Sequence, residues 1–456
     1  MPAPAAPITA TQQFDAWLKA FNTGDGPTIE ANFKQQFATD VEWPPIEVII
    51  GFREETGGFD VIKPEETTPT KYVVIVKGRE DQTFARATIQ VDASPPNRIR
   101  GFNILAMPPP PEFAPPPLTE AEALKALRAE IEKRVAADQF SGAVLIAKDG
   151  KTIFAEAYGF ADREKKVANT LDTRFRIGSM NKMFTAVATL QLVQAGKIKL
   201  DDPIGKYLKN YPNQEVATKV TIHHLLSHTG GTGDIFGPDF EKKRLELKTH
   251  DDYLKLYGSR ALAHEPGTKF AYSNYGFVLA GAIIEAVTKK TYYDAVKVNV
   301  FAKAKMTKTS SPPEDANEAG RSIGYMRENR KAPWKPNVDT LPYRGTAAGG
   351  GDSTVKDLLA FANALTSKKL LDAKHLELLT TSKMKPEWPM KYAYGMTLQE
   401  IRGAKCFGHG GGAPGMNGEL TICDSGYTVA VLSNLDPPAA GRIAEYALAR
   451  LPMKAK

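Results

Sequence analysis

The chain has 456 residues, 42% of them hydrophobic and 24% charged, with a formal net charge of +7. It is too long for one ordinary core, which points to two or three globular domains. No apolar run reaches the ~18 residues of a membrane span, and Lys and Arg are scattered, which argues against a spanning helix and a nucleic-acid track.

The opening "MPAPAAPITA" has neither a basic nor an apolar leader pattern. The compartment stays open: periplasmic or secreted if a leader has been removed, cytoplasmic otherwise. "TQQFDAWLKAFNTGD" sets Phe14, Trp17, Leu18 and Phe21 at helical spacing before the stop at Gly24, and a second helix is expected over 27–38. The runs 71–78, 83–92 and 98–105 read as strands. Residues 1–106 therefore form a small α+β domain, which weakly resembles the NTF2-like fold and is expected to serve as an accessory module. "MPPPPEFAPPP" (107–117) has seven prolines in eleven residues. It reads as a semi-rigid linker over 107–118.

The main domain is expected over 119–456. Its first helix, over 119–139, carries the stripe Leu124, Leu127, Ile131 and Val135, and Thr119 with Glu122 fits a capping box. Asp149-Gly150 joins two strands as a hairpin. "RFRIGSMNKMFTAVATLQLVQAGK" (174–197) reads as a central helix, apolar on nearly every side. "KCFGHGGG", "NGELTICD" and "YTVAVLSN" read as three late strands, followed by a helix near 438–451. Strands at both ends with helices between them predict one antiparallel sheet closed by the two ends of the domain.

The central helix raises a chemical question, because it places Ser179 and Lys182 one turn apart at its N-terminus. Burial disfavours the ammonium form, and a neutral amine can take the proton of a neighbouring hydroxyl. S-x-x-K alone is a weak signal, and on that motif alone Ser179 as a cap with Lys182 reaching solvent is the favoured explanation. Two further stretches change the balance. Tyr272-Ser273-Asn274 precedes an apolar helix, and His409-Gly410-Gly411-Gly412 ends a strand.

S-x-x-K, then Y-x-N about ninety residues on, then an H-x-G strand motif, resembles the serine β-lactamase and penicillin-binding-protein superfamily. The chain looks closest to class C β-lactamases and family VIII carboxylesterases. "KIKLDDPIGKYL", "VTIHHLLSHTGG" and "GGGDSTVKDLLAF" support the likeness. It implies an α+β fold, an antiparallel sheet flanked by helices plus an all-helical region. It also implies an acyl-enzyme on Ser179, with Lys182 as base and Tyr272 as proton carrier. An adjacent ammonium is expected to lower the phenol pKa of Tyr272. The oxyanion hole would be the N–H groups of Ser179 and Gly412. Asn274, His409, Gly410 and Gly411 would contact substrate.

The superfamily's lactam-binding pattern is Lys-Thr-Gly, and this chain has His409-Gly410-Gly411. A fixed cation and a hydroxyl are lost, and the glycines are expected to widen the site floor. Anionic lactams lose part of their grip, whereas neutral esters lose little. The expected activity is thus a serine carboxylesterase with weak β-lactam hydrolysis, acting on a small-molecule ester without metal or organic cofactor. Alternatives are a β-lactamase, a D-amino-acid peptidase or amide hydrolase, an acyl transferase, and a slowly acylating penicillin-binding protein without turnover. Homo-oligomerisation stays open. His224 and His228 stand at i, i+4, but Leu225 occupies the place of the metalloprotease glutamate, so no metal site is expected. Cys406 and Cys423 face each other across a predicted turn near 414–415. They read as two buried thiols or as a cross-strand disulfide.

Overall fold

The computed structural model describes residues 8–80, 83–107, 109–113, 118–316, 318–330, 332–386, 388 and 391–453. The chain divides into two compact units, residues 1–115 with 327–333, and the rest. Residues 108 and 114–117 of the proline-rich linker and the first seven residues lie outside the described set.

The first unit has helices α1 (Ala10–Thr23), α2 (Gly26–Gln36) and α3 (Ile46–Thr56). Strands β1 (Phe59–Thr67), β2 (Lys71–Gly78), β3 (Phe84–Val91) and β4 (Ile99–Met107) follow and pair in that order, all antiparallel. Phe14, Trp17 and Phe21 of α1 share a core with Tyr72, Val74, Val76 and Ile89, as the helical spacing of the aromatics predicts. Strand β1 and helix α3 were not expected. The outward positions of β1 are exposed and Pro64 interrupts it, which suits an edge strand but hides the alternation.

The second unit is built on a six-stranded antiparallel sheet. Helix α4 (Glu120–Ala136), with the Thr119–Glu122 capping box formed, leads into β5 (Gly142–Lys148) and β6 (Lys151–Tyr158). Asp149 and Gly150 both take positive φ, +48° and +76°, as a type I′ hairpin turn requires. Helix α5 (Asn181–Gln194) and helix α6 (Asn274–Thr288) lie in the middle of the chain. Strands β7 (Thr397–Ile401), β8 (Ala404–Ala413), β9 (Met416–Cys423) and β10 (Tyr427–Ser433) and helix α7 (Ala439–Leu448) complete the unit. The sheet order is β7-β8-β9-β10-β5-β6, so the two ends of the unit meet where β10 pairs with β5.

Each sheet face has its own core. Leu127, Ile131, Val144, Val431 and Ile443 pack together with α4 and α7 on one side. Leu145, Leu420 and Leu432 face the larger core that surrounds α5 and α6 on the other. Met183, Phe184, Val187 and Leu190 of α5 are all fully buried, each worth roughly 1.5–3 kcal/mol relative to exposure. One correction concerns the start of this helix. Phe175–Arg176 is a short strand and Gly178–Met180 a 3₁₀ turn, so the α-helix begins only at Asn181. Cys406 and Cys423 stand opposite each other in the β8–β9 register and form a disulfide, which settles their pairing. No described helix is long and apolar enough to cross a membrane.

Candidate active site

Ser179 sits in the 3₁₀ turn that opens onto α5, half-buried. Gly178 before it has φ +51°, and a Cβ there would stand 3.1 Å from the amide nitrogen of Gly412. Glycine thus lets the Ser179 turn pass against β8, with the exposed Gly412 alongside. The fit is closer still at Gly411, where a Cβ would meet the carbonyl oxygen of Ile177 at 2.0 Å.

Lys182 is completely buried. Its amine lies 3.1 Å from Ser179 Oγ, 2.7 Å from Asn274 Oδ1 and 2.5 Å from the carbonyl oxygen of Ala348. Ala348 belongs to a loop pinned to α5 by successive carbonyls, Thr346 O accepting from Asn181 and Ala347 O from Thr185. Asn274, the first residue of α6, donates Nδ2 to Asp234 Oδ2 at 3.1 Å, which turns its carbonyl toward Lys182. Burial lowers the amine to about 7, against an opposing pull from the Asp234 carboxylate.

Tyr272 completes the group. Its ring centroid is 4.7 Å from Lys182 Nζ, and the Ser179 side chain is near enough to act on its phenol. The residue is 38% exposed overall, yet loss of water around its hydroxyl pushes the phenol up to about 12, with the Ser179 side chain pulling the other way. This reverses the expected lowering by an ammonium. Burial weakens the charge of Lys182 itself, so desolvation of the phenol prevails. The outcome is a base near neutrality beside an acid that holds its proton, a separation typical of acid–base sites.

The expected substrate contacts need revision. His409 is 5% exposed and its pKa falls to about 4, through burial first and the Lys182 charge second. Its Nδ1 meets Gly410 O at 2.5 Å and its Nε2 meets the Tyr392 hydroxyl at 2.9 Å. Both ring nitrogens are engaged inside the protein, so His409 offers substrate neither a charge nor a free donor. Gly410 and Gly411 do not widen the floor, because the Glu419 carboxylate lies against the first and the Ile177 carbonyl against the second. Asn274 meets Lys182 as expected, and its Nδ2 retains a second N–H beyond the one given to Asp234.

His224 and His228 do not share a helix. The helical turn Ile222–Leu226 ends between them, His224 Nδ1 accepts from Thr221 N–H, and His228 Nδ1 accepts from Ser273 N–H. Among the described residues no group of three or more His, Cys, Asp or Glu could hold a metal ion. Asp234, Ala348 and Tyr392 were missed by sequence reasoning, and His228 was weighed there only as a metal ligand. Of the three, Asp234 alone left a trace, as the one acid in the glycine-rich "HTGGTGD". A groove of about 800 Å³ lined by Lys151, Lys303, Lys305 and Lys369 contains none of the site residues.

Comparison with known proteins agrees with this geometry. The chain is 28% identical over 298 residues to PbpX of Bacillus subtilis, named as a candidate penicillin-binding protein, covering 64% of this chain and 70% of that one. The penicillin-binding protein from Bacillus halodurans superposes with a TM-score of 0.62 at 31% identity, over 69% of this chain and 98% of the other. The D-stereospecific amidohydrolase from Streptomyces sp. gives a TM-score of 0.60 at 30% identity, over 72% and 98%. A family model described as Beta-lactamase matches residues 127–452, and on that match the chain belongs to the beta-lactamase family.

Proposed function

We propose that the chain is a serine hydrolase of uncharged carboxylic esters that works through an acyl-enzyme on Ser179. The observation that carries this reading is Lys182, a fully buried amine near pKa 7 beside the Ser179 hydroxyl. Ser179 Oγ attacks the ester carbonyl carbon while its proton passes to Lys182 Nζ. The carbonyl oxygen becomes an oxyanion served by the N–H groups of Ser179 and Gly412. As the carbon–oxygen bond to the alcohol breaks, Tyr272 gives its hydroxyl proton to the leaving oxygen and recovers one from Lys182. Water then attacks the acyl carbon, losing its proton to the same pair, and Ser179 leaves with that proton restored.

The preference for uncharged esters rests on His409. A substrate carboxylate meets no fixed cation there, and placing it beside a neutral imidazole costs desolvation without return. A second reading, hydrolysis of D-amino-acid amides, is favoured by the likeness to the Streptomyces D-stereospecific amidohydrolase. We read the first 106 residues as an accessory module.

The test is a panel of p-nitrophenyl esters beside nitrocefin and D-amino-acid amides, with intact mass after phosphonate treatment. Ester turnover should lead, one adduct should form, and Ser179→Ala should lose both. Faster turnover of nitrocefin or of the amides overturns the ester assignment. Activity that EDTA abolishes overturns the metal-free mechanism.

A further inference from the structure

His228 is 1% exposed and holds a left-handed backbone, φ +57°. That conformation is strained for a residue with a Cβ and points to a specific local demand. Three contacts show what is demanded. The His228 carbonyl accepts from Ala271 N–H at 2.9 Å. Its ring Nδ1 accepts from Ser273 N–H at 3.0 Å. Its ring centroid lies 4.2 Å from that of Tyr272. One residue therefore grips both backbone neighbours of Tyr272 and packs on its ring.

The proton directions beyond this grip follow from the chemistry of each group. Because Nδ1 accepts, the single proton of a neutral His228 is on Nε2, which faces the Tyr392 hydroxyl at 3.2 Å. Tyr392 accepts there and gives its own proton to His409 Nε2 at 2.9 Å. His409 then carries its proton on Nδ1 and donates it to Gly410 O. Tyr392 is wholly buried, and burial holds both imidazoles below their ordinary pKa. The result is a one-way hydrogen-bond chain from the turn of Tyr272 to strand β8, two residues before Gly412.

We propose that His228 is the positioning residue of Tyr272, and that Tyr392 and His409 brace it against the strand carrying Gly412. The proton donor and the oxyanion donor then keep a constant separation. This rests on the reading of Tyr272 as the proton carrier of an ester hydrolase. The brace matters because proton delivery works only within hydrogen-bond reach of the leaving oxygen, and a displacement of about 1 Å costs about 100-fold. It also accounts for His409 in place of a lysine, since a neutral imidazole, unlike an ammonium, offers an acceptor to Tyr392 and a donor to Gly410 at once.

Leaving-group dependence separates positioning from a general structural defect. p-Nitrophenolate departs without a proton, whereas ethoxide needs one. The full-length enzyme and its His228→Leu, His228→Asn and Tyr392→Phe variants are compared on p-nitrophenyl butyrate and ethyl butyrate. Active sites are counted by fluorophosphonate labelling, and kcat/KM reports acylation. His228→Leu should lose about 100-fold on the ethyl ester and less than about 10-fold on the p-nitrophenyl ester. His228→Asn should restore at least about tenfold of the ethyl-ester loss, because Asn tolerates the left-handed backbone and its Oδ1 can replace Nδ1. Tyr392→Phe should fall between them with the same bias. Equal losses on both esters, or no loss, overturn the assignment. A wild-type enzyme that takes no label on Ser179 overturns the functional reading as well, so the two failures are distinguishable.

Discussion

Lys182 Nζ lies 2.7 Å from Oδ1 of Asn274, and that contact decides which way the amine faces. The Asn274 and Ala348 oxygens are obligate acceptors and use the two N–H groups of a neutral amine. The remaining direction is Ser179, and what the amine has left for it is a lone pair. Apart from desolvation, this geometry suits the buried lysine to the role of base proposed for it.

The pH profile follows. With Lys182 near 7, kcat/KM on a p-nitrophenyl ester should rise about tenfold per pH unit below 7 and level off above it. Tyr272, near 12, keeps its proton throughout, so no alkaline fall is expected up to about pH 10. A bell-shaped profile with its upper limb below pH 9 would contradict this assignment.

Asp234 acts at one remove. Its carboxylate raises the Lys182 pKa and holds the Asn274 amide. In Asp234→Asn the acid limb should move to lower pH, because the anion that favours the ammonium is gone. Plateau kcat should fall about tenfold as Asn274 loses its fixed orientation. The limb staying in place, measured on the same ester, would remove Asp234 from the electrostatics of the site.

Gly411→Ala should be severe, because a methyl group cannot share space with the Ile177 carbonyl 2.0 Å away. Strand β8 must move off the Ser179 turn and take Gly412 with it. A loss of about 100-fold or more in kcat is expected, the scale of a lost oxyanion donor. Circular dichroism should show the fold retained, and near-normal turnover would place the oxyanion site elsewhere.

Glu419 gives a stability test independent of catalysis. Burial raises its carboxyl from the ordinary 4.5 to about 7, with Thr421 opposing and Glu445 adding to the shift. The folded state then binds the extra proton between those values. Stability is full below 4.5 and falls as pH rises through 7, by about 3 kcal/mol at most. Glu419→Gln should therefore raise Tm by several degrees at pH 8.5 and by less than about 1 °C at pH 4.5, in a thermal melt. An equal gain at both pH values would mean the effect is packing, not charge.

Much of this molecule is legible from pattern alone. The i, i+3 pairing of Ser179 and Lys182, the hairpin at Asp149-Gly150 and the facing strands of Cys406 and Cys423 follow from local spacing. The rest depends on tertiary context. His409 invites the role of the lysine it replaces, and only its pairing with Tyr392 and Gly410 shows it as a brace. Ala348 contributes a backbone carbonyl, which no side-chain motif can signal. The expected helix over 174–197 ran too far forward because Phe175 and Arg176 pair with Asp352 and Ser353, far along the chain.

The pairing of β10 with β5 has a consequence for biosynthesis. The Ser433 hydroxyl donates to the backbone of Ser141 across 292 residues of sequence. At roughly 5–20 residues per second, a ribosome needs about 15–60 s to deliver the partner strand. During that interval the β5–β6 hairpin waits with an open edge, the kind of surface on which nascent chains misassociate. Sheet closure, and with it the seat for the Ser179 turn, must therefore follow synthesis of strand β10.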